Sequence, residues 1–185
     1  ELKSIGTQAF TGCPLKQILL PKGLSTIGNE AFSQCKELKV IDLPDSLKTI
    51  GNGAFAWCDN LEKITTHGNI ETIKYDCFNG CKNLKTVVWG GKIREFGGFA
   101  HCTNLKTLTL GENIEYINND AFEGCTSLTH LIVRSKKPCN YSSESFTQSV
   151  VDLFNKAELS VPEGSKSAYT NANFWRATRH LLHCA

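Results

Sequence analysis

The sequence has no methionine among its 185 residues, so we do not expect it to begin at a translation start. Its first residues already belong to a repeated pattern, and we interpret the chain as a processed form or a fragment whose upstream segment is missing. It has no apolar run approaching the roughly 18 residues of a membrane-spanning helix, so we predict no transmembrane segment. A charge excess is missing too, since 20 Lys and Arg oppose 18 Asp and Glu. Nucleic-acid-binding domains are usually strongly basic, and we therefore expect no nucleic-acid partner.

The sequence also lacks the motifs of familiar catalytic sites. Neither Gly90-Gly91-Lys92 nor Gly97-Gly98 has the spacing, or the following Ser or Thr, of a phosphate-binding loop. There is no Gly-x-Ser-x-Gly turn of a hydrolase and no His-Glu-x-x-His zinc helix. Because a nucleophile, a base and oxyanion donors cannot be assembled from the motifs, we predict no enzymatic activity and no cofactor.

Two groups of residues have the composition of metal ligands. Cys77 and Cys81 lie four positions apart, but Cys77 occupies a position that is Ala in most other repeats, so core packing explains it. His180, His183 and Cys184 are ligand types that suit zinc, yet they lie at the end of the chain and are equally compatible with a frayed terminus. We favour the interpretation without a metal.

What the sequence does have is a repeat. Six of its nine cysteines recur 22, 23, 23, 21 and 23 residues apart. Most follow an Ala-Phe pair, each is followed by a Leu, and an apolar residue comes three positions after that Leu. The six cysteines are Cys13, Cys35, Cys58, Cys81, Cys102 and Cys125. This spacing predicts six repeated units, which we number one to six in chain order.

Each unit has the pattern of a short strand with a return leg. In unit two, Ile41 and Leu43 alternate with Val40 and Asp42, so the first pair should point inward and the second outward. Pro44 then ends the strand, and the return leg is expected to be a short turn or helical segment. One unit cannot bury its apolar face alone, whereas stacked units bury a continuous core.

The repeat therefore predicts an α/β leucine-rich-repeat solenoid. We expect about six coils of 21 to 23 residues over residues 1–134, the first coil being incomplete. Residues 135–185 are expected to form a C-terminal capping segment, because a solenoid needs an atypical unit over its last coil. Within the cap, Leu159 and Val161 predict a strand and Ser165 the N-cap of a helix. Residues 145–155 predict an amphipathic turn or short helix.

The repeated cysteines allow two interpretations. Residues in the same register lie above one another, and a small inward-facing side chain there is typical of a buried thiol. Disulfides between adjacent coils are the alternative, because the strand spacing of about 4.8 Å falls within the Cα separation of a disulfide. Parallel side chains give poor geometry for a disulfide torsion, so we favour buried thiols.

Units three to five depart from the pattern. Unit three places Thr66 where Leu is expected, unit four places Trp89 there, and unit five loses two residues around Phe96 and Phe99. We predict a disturbed sheet in the third and fourth coils, with a groove or water-lined gap there, and local repacking without a cavity is the alternative. An apolar pocket around Trp89, Phe96 and Phe99 would suit a hydrophobic small molecule.

The unit from Gly28 to Pro44 resembles the BspA-like, or Treponema pallidum-type, bacterial leucine-rich repeats. It has the form Gly-x-x-Ala-Phe-x-x-Cys-x-x-Leu-x-x-Ile-x-Leu-Pro. The segment from Leu159 to Ser165, with Tyr169 and Trp175, looks like the closing segment of such proteins. The resemblance implies a bacterial protein that is secreted, periplasmic or attached to the cell surface. It also implies binding to other proteins, often host or extracellular-matrix components.

The outward strand positions are the predicted binding surface, on the concave face of the sheet. Lysines form a column there among apolar side chains, and an apolar patch with a charged rim is typical of protein-binding surfaces. Such lysines can also simply keep a sheet face soluble and block edge association. The predicted residues are Lys16, Leu19, Lys39, Val40, Asp42, Lys63, Thr65, Lys85, Val88, Lys106, Thr109, His130 and Ile132.

The sequence thus favours a non-enzymatic protein-interaction module that attaches to host or matrix proteins. A binder of a small hydrophobic ligand at the irregular coils and a structural spacer domain are the alternatives. We expect the protein to be a monomer, and an acidic or anionic partner fits the lysine column.

Overall fold

The repeats fold into short parallel strands that stack coil upon coil. The computed structural model describes residues 2–66, 70–118, 121–141, 153, 156–172, 175 and 182–184. One strand from each unit, followed by two strands of the C-terminal segment, forms an eight-stranded sheet. In chain order these strands are β2 (Gln17–Ile18), β4 (Val40–Ile41), β6 (Lys63–Thr65), β8 (Thr86–Trp89), β10 (Thr107–Leu110), β12 (His130–Val133), β14 (Glu158–Val161) and β15 (Leu182–Cys184). Each strand pairs in parallel with its equivalent in the next coil, which confirms the predicted solenoid.

The return legs also contain strands. In chain order these are β1 (Ser4–Ile5), β3 (Thr26–Ile27), β5 (Thr49–Ile50), β7 (Thr72–Ile73), β9 (Glu95–Phe96), β11 (Tyr116–Ile117) and β13 (Asn140–Tyr141). The first four form one parallel sheet and the last three another. Strands and turns, but no helix, make up the described residues between 2 and 141. The helical share of the fold is therefore smaller than an α/β repeat implies.

Helix α1 (Lys166–Asn171) belongs to the C-terminal segment. Ser165 occupies its N-cap position as predicted, but its side chain makes no capping hydrogen bond. The Ser165 hydroxyl instead donates to the carbonyl of Pro162 at 2.6 Å, which closes the turn before the helix. None of the helices in the described residues is long and apolar enough to span a membrane.

The core consists of columns of identical or similar residues. Phe10, Phe32, Phe55, Phe78 and Phe99 form a stack in which neighbouring ring centroids lie 5.1–5.3 Å apart and ring planes differ by at most 11°. The rings contact face to face because each occupies the same position of its coil. The continuous stacked core that the repeat predicts is therefore confirmed for the phenylalanines.

The repeated cysteines form a second column, of free thiols. Five of them are buried, and Cys13 is half-buried because it belongs to the first coil. Each buried thiol donates to the carbonyl of the phenylalanine one coil earlier, for example Cys58 to Phe32 at 3.1 Å and Cys81 to Phe55 at 3.2 Å. The thiols thus satisfy buried carbonyls between coils. The described structure supports the thiol interpretation and contradicts the disulfide ladder.

The predicted disturbance of the strand sheet in the third and fourth coils is wrong. The eight-stranded sheet runs through β6, β8 and β10 in continuous register. It is the return-leg sheet that divides, between β7 and β9. Unit five lacks two residues just here, so its leg takes a shorter path. Gly98 allows this path, since it has a φ of +80° and a Cβ there would lie 3.0 Å from the Cys77 nitrogen.

The C-terminal segment continues the stack, because β14 pairs with β12 of the last coil, and hydrogen bonds also hold the segment together. The Tyr169 hydroxyl donates to the Ser135 carbonyl at 2.8 Å, and the Trp175 indole donates to the Cys139 carbonyl at 3.2 Å. The predicted strand around Leu159 is confirmed as β14. The predicted helical segment at 145–155 lies outside the described residues, apart from Leu153 and its buried side chain. A domain boundary at residue 134 stays a prediction.

Candidate functional site

The outward-facing side of the eight-stranded sheet, which we call the sheet face, carries the predicted binding residues. Most of them are exposed, and Thr65, Val88 and Ile132 are half-buried. Thr109 is an exception, because only 7% of it is exposed. It lies between Val88 and Ile132 on the neighbouring strands, and these two branched side chains cover it. The prediction that Thr109 is available to a partner is therefore wrong.

The lysine column is interrupted. Backbone hydrogen bonds place Glu62 between Lys39 and Lys85 in the column that also contains Lys16 and Lys106. Lys85 forms an ion pair with Glu62, with 3.2 Å between Nζ and Oε2. Lys16 and Lys39 are thus the adjacent lysines at the N-terminal end. Sequence reasoning missed this division because it aligned the lysines of the other units and did not consider Glu62, the equivalent residue of unit three.

Apolar exposure is concentrated at the same end of the sheet face. Leu19 is 93% exposed and Val40 is 55% exposed. A groove of about 360 Å³ runs between the second and third coils, and Val40, Asp42 and Lys63 are among its lining residues. The register places Lys63 directly beside Val40. The first three coils therefore combine exposed apolar surface, lysines and a groove.

The other end of the sheet face has a different character. His130 Nε2 lies 3.5 Å from the carboxylate of Glu158 on the next strand. Its other ring nitrogen lies 2.9 Å from the Thr129 hydroxyl. These neighbouring polar groups already contact the imidazole, so His130 is less available to a partner than the lysines of the first coils.

The three aromatic residues of the predicted hydrophobic pocket lie in the core. Trp89 contacts Phe96 and Phe99 edge to face, with centroids 5.8 Å and 5.0 Å apart, and Phe96 stacks on Phe99 at 5.1 Å. At most 1% of each side chain is exposed. The indole nitrogen donates to the Glu95 carbonyl at 3.3 Å. The rings therefore fill the space between coils by contacting one another.

The buried cysteines are poor nucleophiles and poor metal ligands in their present environment. Burial raises the pKa of Cys35 to about 11 and that of Cys58 to about 12. It also raises the pKa of Cys77 and Cys81 well above the usual value. These thiols stay protonated near neutral pH, whereas the thiolate is the nucleophile and the metal ligand. His180 and the side chains of His183 and Cys184 lie outside the described residues.

A second groove, of about 650 Å³, lies outside the three-stranded return-leg sheet, where Tyr116 is exposed. Sequence reasoning missed it. The signal available was small: Val133 and Asn140 are seven positions apart, whereas the equivalent Leu110 and Tyr116 are six apart. The extra residue lengthens one turn beside the groove.

Several solved structures are similar to this chain. A leucine-rich repeat protein of T. pallidum shares 26% identity with it, at a TM-score of 0.68, over 82% of this chain and 77% of that chain. A leucine-rich cell surface protein of Faecalibacterium prausnitzii shares 24% identity, with a TM-score of 0.52, over 77% of this chain and 30% of that chain. The pneumococcal vaccine antigen PcpA shares 22% identity, with a TM-score of 0.61, over 92% of this chain and 40% of that chain.

The likeness to the last two proteins shows the fold, and the chain spans less than half of the length of either. No curated protein matches the chain. The sequence model of the family described as BspA type leucine-rich repeat region matches this chain in six copies, over residues 1–98 and 95–173. These matches cover most of the sequence, and the coil register, the phenylalanine stack and the thiol column give the repeat its physical basis. The chain belongs to the BspA-type leucine-rich repeat family.

Proposed function

We propose that this chain is a non-enzymatic module that binds a protein partner through the sheet face of its first three coils. The observation that carries the proposal is the combination of Leu19 and Val40, both largely exposed, with the adjacent Lys16 and Lys39 and with Lys63, which lines the groove. Exposed apolar side chains with a charged rim are typical of interaction surfaces. Nearby lysines also steer a negatively charged partner toward the surface.

The partner that fits this surface is a protein segment with acidic and apolar side chains. Its apolar side chains would cover Leu19 and Val40, and its carboxylates would pair with Lys16 and Lys39. We propose that this partner is a host or extracellular-matrix protein, and that the chain acts at the bacterial surface or in secreted form. The description of the F. prausnitzii relative as a cell surface protein supports that location.

The test is binding to a solubilised extracellular-matrix fraction immobilised on a sensor surface. Replacing Lys39 by Glu is expected to weaken binding by about tenfold at low salt, because it puts a repulsive charge at the centre of the patch. The difference should shrink as ionic strength rises. Lys36→Glu is the matched control, because Lys36 is exposed, lies three residues away, precedes the strand and undergoes the same charge change.

The proposal requires wild type and Lys36→Glu to bind alike while Lys39→Glu binds more weakly. Equal affinities of the two variants would show that the sheet face of the first coils is not the binding surface. Absence of binding by the wild type would contradict the matrix protein as partner.

A further inference from the structure

The groove outside the three-stranded sheet is separate from the sheet face. Its side chains come from coils five and six and from the start of the C-terminal segment, near the beginnings of β9, β11 and β13. Its volume of about 650 Å³ falls within the range of about 300–1,000 Å³ typical of small-molecule sites. The groove is therefore large enough for a ligand of several rings.

The lining of the groove is polar and nearly balanced in charge. Lys92, Arg94 and Lys137 contribute three cations, and Glu112 and Glu115 contribute two carboxylates. Arg94 and Glu115 pair with each other, with 3.5 Å between Nε and Oε1. The opposite charges are interspersed, so the groove has no strong preference for an anion or a cation. It instead offers both donors and acceptors to a neutral ligand.

An aromatic ring lies in the middle of these polar groups. Tyr116 is 45% exposed, and it occupies the outward position of the central strand, while its neighbour Ile117 is buried. The Cα partners of Tyr116 are Glu95 on one neighbouring strand and Asn140 on the other, and both are exposed. Strands lie about 4.8 Å apart, a spacing close to the width of a pyranose ring. Of these two neighbours, Asn140 lines the groove together with Tyr116, on a strand about one sugar unit away.

One wall of the groove is held in place by buried hydrogen bonds. The Ser135 hydroxyl donates to the Lys137 carbonyl at 2.8 Å. The Tyr169 hydroxyl lies 2.8 Å from the Ser135 carbonyl and 3.2 Å from the Lys137 carbonyl. Tyr169 itself is fully buried. The turn that contains Ser135 and Lys137 is therefore anchored to helix α1. A preorganised wall of this kind lowers the entropy cost of binding.

We propose that this groove binds a neutral oligosaccharide. The exposed face of Tyr116 would cover the C–H face of one sugar ring, and the Asn140 amide would bond to its hydroxyl groups. The Arg94–Glu115 pair would supply one donor and one acceptor to the next sugar. Hydroxyl groups act as donor and acceptor at once, so they match a lining in which both kinds alternate.

The lining argues against the other ligand classes. A hydrophobic ligand would cover the Tyr116 ring, but it would leave the charged and amide groups around that ring without hydrogen-bond partners. An acidic peptide or a sulfated glycan would meet Glu112 and Glu115 as well as the three cations. Polar groups left unpaired by an apolar ligand would also lower its affinity.

The test uses four neutral tetrasaccharides, built from glucose, mannose, galactose and N-acetylglucosamine. Titrations followed by protein NMR should show binding of at least one of them at concentrations up to about 10 mM, the weak range expected of a shallow groove. Hexaglutamate and a heparin tetrasaccharide serve as the anionic probes. The signals that shift should come from residues of coils five and six and from the start of the C-terminal segment.

Tyr116→Ala is expected to weaken that binding by about tenfold, the equivalent of about 1.4 kcal/mol. Tyr116→Phe should bind within about threefold of wild type, because the ring face remains. Tyr75→Ala is the matched control, since Tyr75 is an exposed tyrosine of coil four and does not line the groove. Lys39→Glu, on the sheet face, should leave this binding unchanged, which keeps the test independent of the protein-binding proposal.

Three results would overturn the inference. The first is the absence of binding by all four neutral tetrasaccharides. The second is binding that Tyr116→Ala leaves intact, or binding that Tyr116→Phe weakens as much as Tyr116→Ala does. The third is a clear preference for hexaglutamate or the heparin tetrasaccharide, which would make the groove an anion site.

Discussion

The first three coils and the fourth and fifth coils build the same core with different residues. Coils two and three place Ile27 and Ile50 in the return-leg sheet, and both are fully buried. At the equivalent position coil five has Phe96, and its unit lacks two residues. The Trp89 ring lies against Phe78, Phe96 and Phe99. The large Trp89 side chain on β8 thus occurs together with the shortened return leg of unit five.

The difference shows which part of the coil tolerates change. The eight-stranded sheet keeps its register from β2 to β12, whereas the return-leg sheet divides at the shortened unit. Strand pairing is a backbone property that repeats coil after coil. The return legs depend on loop length, and a changed length there can be compensated by side-chain volume.

Replacing Trp89 by Ala tests whether this aromatic cluster supports the irregular coils. The change removes a side chain that is 1% exposed and contacts three rings. Loss of a buried aromatic costs about 3–5 kcal/mol in free energy of unfolding, because a cavity remains. Urea denaturation followed by circular dichroism measures the loss.

Trp57→Ala is the control, because Trp57 is 42% exposed. It should change the free energy of unfolding by about 1 kcal/mol or less. Comparable losses for the two tryptophans would mean that the cluster around Trp89 contributes nothing special to the irregular coils.

Thr66 lies at the boundary between the first three coils and the irregular fourth and fifth coils. It occupies the position that is Leu43 in coil two. Its buried hydroxyl accepts a hydrogen bond from the Gly90 N–H at 2.8 Å. Thr66→Val keeps the shape and leaves that N–H without its partner, so we expect a loss of about 1–3 kcal/mol in free energy of unfolding. Thr65→Val, at the neighbouring outward-facing position, should change it by about 0.5 kcal/mol or less. If both variants unfold at the same urea concentration, the hydrogen bond does not stabilise the boundary.

Much of this fold could be predicted from residue spacing. Cys35 and Cys58 recur at the coil period, so their burial follows from stacking alone. The hydrogen bond from Cys58 to Phe32 could not be predicted, because it joins coils and depends on the thiol's orientation. The strand nature of the return legs was missed as well, since two-residue strands such as β5 carry no alternation to detect.

The candidate site was predictable in outline and not in detail. Exposure of Val40 follows from its alternation with Ile41, and the structure agrees. Burial of Thr109 depends on which side chains lie across the sheet, and Glu62 enters the lysine column only when all coils are aligned. The groove at Tyr116 is lined by three successive turns, one of them a residue longer than the other two, and no single-unit pattern reveals such a combination.

The thiol column is common to both regions, and it should make stability fall at alkaline pH. Burial raises the pKa of Cys58 in the regular coils and of Cys125 next to the irregular ones, both to about 12. A thiol with a raised pKa binds its proton more tightly in the folded protein. Its contribution is therefore fully present below the unfolded pKa, near 9, and is lost as pH rises from there toward about 12.

Cys58→Ala and Cys125→Ala compare the two regions directly. Each buried thiol should contribute a decline of about 1.4 kcal/mol per pH unit above about pH 9. In each variant the free energy of unfolding should therefore fall less steeply with pH than in wild type. The difference in slope should correspond to about one bound proton and should be the same for both variants. Urea denaturation between about pH 8 and pH 11 under reducing conditions gives the slopes. Cys139→Ala, whose thiol lies outside the repeated column and also has a pKa of about 12, should behave alike if burial is the cause. A reduced slope for Cys58→Ala alone would show that the irregular coils admit water to their thiols, and that the two regions differ in their cores as well as in their return legs.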